Sequence, residues 1–304
     1  MLTLEKSAKF KVYILIFIGC FPAYAGYEIR NENFVIYASD HDSLIVKQLI
    51  DFARQSKTKY DQFFEYDLVD RIDIYLASSE EEYKRFNPPD IPDWSGGVAF
   101  TKENIIILKP DSYYDPEIYR QTLFHEIAHI YIGAIIKDMP FPVWLNEGTA
   151  MYLSEKTISW RESIIIGNAL SSGNIIDLNA IDSVLIFADA SAHLAYLESF
   201  LAVQLLVEKQ GEKKLAQLIK DFSKSQSLDQ LFEKHFGYGF IEFEIEWYDT
   251  LKKRYRWMAF LQFDNLFWVM LVIIIILVFV GIKIRNRKIY KRWAQEDISE
   301  GSIK

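Results

Sequence analysis

The stretch from residue 124 to residue 150 constrains the fold of this chain most strongly, because its two histidines and one glutamate, all residue types that can ligate metals, meet only if the chain folds back on itself. His125 and His129 are four residues apart, so on a helix they share one face and both rings can reach one ion. Glu147 follows after seventeen intervening residues, enough for that helix to end and for a second helix to begin. The stretch therefore predicts two helices that assemble a metal site.

The surrounding sequence predicts these two helices independently of the histidines. Asp115, Pro116 and Glu117 are typical of a helix start, since they supply an N-cap, a first-turn proline and an acidic first turn. The helical pattern continues through Ile136, a proline-containing turn interrupts it, and residues 143–156 resume it. The candidate ligands thus fall on helices.

Two imidazoles and one carboxylate favour zinc, because they leave a fourth tetrahedral position for water, whose pKa falls to about 7 on the metal. Glu126 lies beside the two histidines, where it can accept a proton from that water and deliver it to a leaving amine. The pattern predicts a zinc-dependent hydrolase in which His125, His129 and Glu147 bind the metal and Glu126 is the catalytic base.

Two short motifs carry a family resemblance: HEIAH at residues 125–129 and WLNEG at residues 144–148. Together they resemble the gluzincin metallopeptidases, the group that contains thermolysin and the aminopeptidase-N-like enzymes, and they are most similar to the compact peptidase-MA-like domains. The resemblance covers about residues 34–257. It implies an α+β, zincin-like two-lobed metallopeptidase domain, with a small N-terminal mixed sheet and a mostly helical C-terminal lobe, that hydrolyses peptide bonds.

Two departures separate the chain from the aminopeptidase-like branch. Its spacing between the motifs is one residue shorter, and nothing like G-A-M-E-N, which captures a substrate amino terminus, precedes HEIAH. We therefore predict an endopeptidase acting on peptide or protein substrates. A zinc aminopeptidase and a noncatalytic, zinc-stabilised scaffold or binding protein are the alternatives, and the intact Glu126 argues against the scaffold. An intramembrane protease is disfavoured because the charged Glu117 and Arg120 precede the motif.

The resemblance also suggests a group that stabilises the oxyanion of the reaction. Tyr196 lies in the predicted helix AHLAYLESFLAVQLL, at the place where related enzymes often carry a tyrosine that donates to the developing charge. His193, three residues earlier on the same face, is the second candidate. Packing of both side chains in an amphipathic helix is the alternative interpretation.

Further positions are expected near the metal. The resemblance singles out Asn146 as a residue that holds the ligand helix or a substrate backbone, whereas Trp144 is expected to be a packing anchor. On a continuous helix Glu155 stays near the face of Glu147, where it either orients a ligand histidine or is a solvated carboxylate. Residues 104–108 resemble the edge strand that pairs with the peptide in gluzincin-like folds, and the alternative is an internal strand.

Short runs rich in Ile, Val, Phe and Tyr predict a small sheet before the metal segment, and helices dominate after it. The predicted strands are residues 34–37, 71–77, 97–100 and 104–108. The predicted helices, besides the two with the ligands, are residues 43–64, 193–209, 212–224, 228–235 and 240–256, with Gly211 as a helix stop. Ser95, Gly96 and Gly97 either admit a close backbone approach or simply turn the chain.

The first 25 residues are typical of a secretory signal peptide. Lysines at positions 6, 9 and 11 precede an apolar run at residues 12–21, and Ala23-Tyr24-Ala25 supplies a cleavage site. Cleavage after Ala25 is the prediction, and lipidation of Cys20 is the alternative. Cys20 is the only cysteine, so the mature catalytic domain, residues 26–257, is predicted to fold without a disulfide.

Residues 266–282 form an uncharged apolar run that predicts one transmembrane helix, since about 20 such residues cross a bilayer. A buried core helix is the alternative, but the run is apolar on all sides. Six basic residues follow within residues 283–292. By the positive-inside rule they place the tail, residues 283–304, in the cytoplasm and the catalytic domain outside it, in the periplasm or the extracellular space.

The distribution of charge excludes one class of partner. The leader carries +2 and residues 283–304 carry +4 while the whole chain carries −8, so residues 26–282 carry −14. An acidic domain repels polyanions, so we predict no nucleic-acid partner. The basic tail is better explained by membrane orientation and by anionic lipid.

Overall fold

The computed structural model describes residues 26–39, 43–86, 95–110, 115–137, 139–181, 189–224, 227–261 and 263–301. The chain divides into two compact units: the first comprises Met1–Thr157 and Ile176–Trp247, and the second comprises Ile158–Ile175 and Tyr248–Lys304. The predicted signal peptide, with Cys20, lies outside the described residues. The predicted domain boundaries at residues 26 and 257 stay predictions.

The first unit contains a mixed five-stranded sheet. Its strands are β1 (Gly26–Arg30), β2 (Phe34–Ser39), β3 (Ile72–Leu76), β4 (Gly97–Phe100) and β5 (Ile105–Leu108). Their order is β1-β2-β3-β5-β4, with β3 parallel to β2 and β5, and with antiparallel pairs at both sides of the sheet. The predicted small mixed sheet is confirmed. It gains β1, whose sequence GYEIR has too few apolar residues to predict a strand.

The strand β5 lies inside this sheet. Its four residues are buried, and it pairs with β3 on one side and with β4 on the other. Of the two interpretations of residues 104–108, the internal strand therefore applies and the peptide-binding edge does not, because both sides of β5 already have hydrogen-bonding neighbours. The edge strand next to β5 is β4, which runs antiparallel to it and pairs Ala99 with Ile106.

The rest of the described chain is mostly helical. In chain order its helices are α1 (Ser43–Phe64), α2 (Glu80–Phe86), α3 (Pro116–Ile136), α4 (Val143–Leu153), α5 (Trp160–Ser172), the 3-10 turn Leu178–Ala180, α6 (Asp189–Gln210), α7 (Glu212–Phe222), α8 (Leu228–Phe236), α9 (Phe240–Tyr255), the 3-10 helix Arg256–Leu261 and α10 (Phe263–Gly301). The structure agrees with the predicted mixture of a small sheet and a mostly helical remainder.

The helix α1 joins the sheet to the helices of the first unit that contain His125, His129 and Glu147. Val46, Leu49, Ala53 and Tyr60 recur at helical spacing along it and are fully buried. This apolar face packs against both β2 and α3. The Tyr60 hydroxyl donates to the carbonyl of Phe124 at 3.0 Å, immediately before the HEIAH motif. The sheet and α3 are thus held by one continuous core.

Local signals place the ends of α3. The Asp115 side chain accepts a hydrogen bond from the Glu117 N–H at 2.9 Å, and Pro116 occupies the first turn, as predicted. At the other end Lys137 adopts a left-handed conformation at φ 50, and its N–H bonds to the Gly133 carbonyl. The turn that follows returns the chain to α4, which packs against α3.

The helix α4 ends earlier than predicted. Its last helical residue is Leu153, and Glu155 adopts a left-handed conformation at φ 62. The Glu155 carboxylate pairs instead with Lys59 at 2.8 Å and with Arg120 at 3.0 Å. Of the two interpretations of Glu155, the one in which it continues the face of Glu147 and orients a ligand histidine does not hold, because Glu155 lies outside the helix and its exposed carboxylate pairs with Lys59 and Arg120.

The helix α4 packs closely against α6 at Gly148. A Cβ added there would lie 2.3 Å from the Ser199 carbonyl oxygen, a backbone atom of α6 that cannot move alone. We expect Gly148→Ala to reduce the free energy of unfolding by about 1–3 kcal/mol through overpacking. Chemical denaturation measures this loss. Gly281→Ala is the control, because no atom of the described residues lies within 4 Å of the added methyl group. An equal loss in both variants would contradict the close approach.

The second unit contains the long helix α10. Its segment Phe267–Arg292 is long and apolar enough to cross a membrane, judged by length and composition. None of the apolar window within that segment is buried inside the protein. The segment contains nearly all of the predicted run at residues 266–282, and its exposure agrees with a membrane span better than with a core helix.

Candidate metal centre

The helices α3 and α4 bring three side chains to one point. His125 and His129 lie one turn apart on α3, and Glu147 lies on α4. The Nε2 atoms of the two histidines are 3.1 Å apart, and Glu147 Oε2 lies 3.4 Å from His125 Nε2 and 3.5 Å from His129 Nε2. Each of the three side chains keeps only a minor part of its surface exposed.

These separations fit a tetrahedral metal ion. Ligands about 2.1 Å from a tetrahedral zinc lie about 3.4 Å from one another, close to the three separations above. Glu147 Oε2 is buried, and the described part of the chain offers it only the long contacts with the two imidazole nitrogens. A buried carboxylate oxygen in that position is costly unless a cation satisfies it. His125, His129 and Glu147 thus form a group that can hold a metal ion.

Asn146 contacts the back of one imidazole ring. Its Oδ1 lies 3.1 Å from His129 Nδ1. Because an amide oxygen only accepts, His129 donates through Nδ1 and directs Nε2 toward Glu147. The resemblance singled out Asn146, and the structure gives it this physical contact.

The centre attracts positive charge. Burial lowers the pKa of His129, but Glu147, Glu126 and Asn146 together outweigh burial and raise this pKa to about 9. A proton on His129 can therefore balance the charge of Glu147. A metal ion bound by the same groups would displace that proton.

Glu126 contacts the edge strand β4. The Ala99 N–H donates to its carboxylate, and a Cβ added to Gly97 would lie 3.0 Å from Glu126 Cγ. Of the two interpretations of residues 95–97, the close backbone approach therefore applies at Gly97. Burial raises the pKa of Glu126, while His125 and His129 oppose that rise. A carboxylate with a raised pKa takes up a proton more readily than an exposed one.

Tyr196 lies on α6, the helix that packs against α4. Burial raises the pKa of its phenol, and the carboxylates of Glu147 and Glu126 raise it further. The hydroxyl therefore stays protonated at neutral pH and can donate a hydrogen bond. His193 lies one turn earlier on α6 and is exposed. The structure brings Tyr196 within electrostatic reach of the centre, and its catalytic role stays a prediction.

Trp144 is a packing residue, as predicted. Its fully buried indole stacks near Phe240 at 5.8 Å and Phe243 at 6.2 Å between ring centroids. This packing holds the start of α4 against α9 without any contribution to the chemistry. His235 is likewise structural, since its Nε2 lies 3.0 Å from Asp221 Oδ2 and joins α8 to α7.

Comparison with known families agrees with this geometry. A model of the Peptidase MA superfamily matches residues 52–253. The chain belongs to this superfamily. The match includes both motifs and Tyr196 and ends before α10. No curated protein gives a significant match to the chain. Membership of the Peptidase MA superfamily supports a metallopeptidase-like protein, and its His-His-Glu group is compatible with metal binding.

Sequence reasoning missed one part of the centre, the backbone of β4. The Ala99 N–H that contacts Glu126 carries no side-chain signal, and its position follows from which strand lies at the edge of the sheet. The available signal was the pair of glycines at 96 and 97, which allows a strand to approach a helix closely. Only the fold shows that this helix is α3.

Proposed function

We propose that this Peptidase MA protein is an exported, membrane-anchored zinc endopeptidase of the gluzincin type. The observation that carries the proposal is the buried Glu147 oxygen, which lies 3.4 and 3.5 Å from the two imidazole nitrogens. Glu126 follows His125 directly on α3, so a carboxylate lies next to these groups. A structural metal site has no need of such a base. The zincin-like, two-lobed arrangement is part of the same proposal.

Each residue has a distinct part in the proposed reaction. His125, His129 and Glu147 hold zinc, which when bound acts as a Lewis acid and makes water nucleophilic at neutral pH. Glu126 accepts the proton of the attacking water on its carboxylate and returns it to the leaving amine nitrogen. The Ala99 N–H fixes the orientation of that carboxylate. Asn146 keeps the His129 ring in its binding orientation.

The substrate in this proposal pairs with β4. This strand has a neighbour on one side only within the described sheet, and its backbone approaches Glu126. A peptide added to that edge gains main-chain hydrogen bonds with little sequence preference. Pairing there places an extended chain beside the base, which favours cleavage within a chain.

In the proposed mechanism the Tyr196 hydroxyl donates a hydrogen bond to the oxyanion. The Tyr196→Phe variant tests this role because it removes only that hydroxyl. We expect turnover to fall by about tenfold or more while KM and metal content change little, because the donor acts only as charge develops. Steady-state kinetics on a cleaved peptide, together with metal analysis, measures this. Leu194→Met, a conservative change on the same helix, is the control. An unimpaired Tyr196→Phe enzyme moves the role to His193.

A peptide mixture tests the proposed activity as a whole. The full chain in detergent is incubated with diverse peptides, with zinc and with a chelator, and new termini are mapped by mass spectrometry. We expect internal cuts that depend on zinc. Trimming of single terminal residues supports the aminopeptidase alternative, and the absence of cuts by zinc-loaded protein supports the scaffold.

The proposed location follows from α10 and the basic residues after its apolar part. We expect protease added to spheroplasts to digest the peptidase domain and to spare a tag placed after Lys304. Digestion of the tag with protection of the domain reverses the proposed orientation. Release of the whole protein by salt alone contradicts the membrane anchor.

A further inference from the structure

The tryptophans whose exposure the structure describes differ between the two units. In the first unit Trp144 and Trp247 are 0% and 1% exposed. In the second unit Trp160, Trp257 and Trp268 are 59%, 51% and 62% exposed. Trp268 lies in the apolar segment of α10, but Trp160 and Trp257 lie outside it. An indole ring with half its surface in water is unfavourable in a soluble domain and is typical of the bilayer interface.

The helix α5 holds these two indoles in one structural block. Its Gly167 lies against the backbone of the segment with Trp257: an added Cβ would be 2.7 Å from the Tyr255 carbonyl oxygen and 2.9 Å from the Ala259 nitrogen. Trp160 lies two helical turns before Gly167 on the same face of α5, about 10 Å along the helix axis. The position of Trp160 relative to Trp257 is therefore set by direct backbone packing.

Basic residues lie close to both tryptophans in the sequence. Arg161 follows Trp160, and Arg254 and Arg256 precede Trp257; all three are exposed. The Trp257 indole N–H is already satisfied by the Arg254 carbonyl at 2.9 Å, so its exposed ring offers apolar surface. Indoles with neighbouring basic groups fit the boundary between acyl chains and anionic headgroups.

The short chain segment between Trp257 and the apolar run limits how far these two tryptophans can lie from the membrane. Trp257 lies nine residues before Leu266, where the apolar run begins. The headgroup region on each side of a bilayer is several ångströms thick, so a chain that enters the bilayer at residue 266 keeps the preceding 3-10 helix near that region. The block therefore has a membrane surface within its reach.

We propose that Trp160 and Trp257 form an interfacial contact that seats the second unit in the headgroup region of an anionic bilayer. The contact extends the proposed membrane anchor and rests on it. The same leaflet contacts both indoles, on the side from which the chain enters at residue 266. A bare transmembrane tether has no such contact, so the second unit is the part of the protein that adheres to the lipid surface.

Site-directed labelling tests the contact in the full chain. In a Cys20→Ser background, Trp160→Cys and Trp257→Cys are each labelled with a polarity-sensitive fluorophore, and the protein is reconstituted into vesicles of phosphatidylcholine and phosphatidylglycerol. Lipids brominated in the upper acyl chain serve as quenchers. Val69→Cys in the first unit, at a residue that is 77% exposed, is the aqueous control. Val278→Cys in the apolar segment of α10 is the control within the bilayer.

We expect the emission at 160 and 257 to shift to the blue and to be quenched by the brominated lipids, while the label at 69 shows neither change. If 160 and 257 behave like 69 while 278 is quenched, the span is correct and the interfacial contact is refuted. If 278 is not quenched either, the membrane anchor itself fails and the contact fails with it. A signal at only one of the two positions refutes a shared contact.

Discussion

Replacing Glu126 with glutamine should remove nearly all peptide hydrolysis and leave the metal in place. Glutamine has the same size and its amide oxygen can still accept the hydrogen bond from the Ala99 N–H, so the local packing is kept. It cannot take up the proton of the attacking water. We expect hydrolysis to fall by about a hundredfold or more, as general-base catalysis is lost.

A second glutamate on α3 provides the matched control. Glu117 lies in the first turn of the helix, is exposed, and pairs with Arg120 at 2.7 Å. Glu117→Gln removes one carboxylate from the same helix without touching the centre, so its activity should stay near that of the parent. Zinc content is measured for both variants. Equal hydrolysis by fully metallated Glu126→Gln and parent enzymes contradicts the proposed mechanism.

The helices of the centre were predictable because their signals are local. The cap formed by Asp115 and the proline after it fix the start of α3 within a few residues of sequence. A spacing of four then places His125 and His129 on one face whatever the rest of the fold does. Helical periodicity relates only residues of the same helix, so it does not connect Glu147 with the two histidines. The preference of zinc for a third ligand supplied that connection.

The remaining errors concern contacts between distant parts of the chain. No residue near Glu155 in the sequence indicates that its carboxylate pairs with Lys59 and Arg120. Glu155 itself has a left-handed conformation and lies just after the end of α4. The same limit applies to the sheet. Residues 97–100 and 104–108 both predict strands, but their order is set by the parallel pairing of β5 with β3, which leaves β4 at the edge. The strand propensity of individual residues does not determine which strands pair.

A graded set of variants around His129 should separate a metal ligand from the residue that orients it. His129→Ala removes one of the three proposed ligands and takes away one of the two imidazole nitrogens beside the Glu147 oxygen, so the purified protein should retain little zinc and no activity. Asn146→Ala removes only the acceptor of the His129 Nδ1–H bond. The ring then loses its fixed orientation, and we expect zinc affinity to fall by about ten- to a hundredfold.

Competition with a chromophoric chelator measures the zinc affinity of each variant and of the parent protein. Glu155→Gln is the control variant. Its parent carboxylate pairs with Lys59 and Arg120 outside α4, so the variant should bind zinc as tightly as the parent protein does. A loss in Glu155→Gln equal to that in Asn146→Ala would transfer the orienting role to Glu155 and contradict the hydrogen bond at Asn146. Full zinc occupancy in His129→Ala would remove His129 from the ligand set, because two remaining ligands cannot hold the ion as tightly as three.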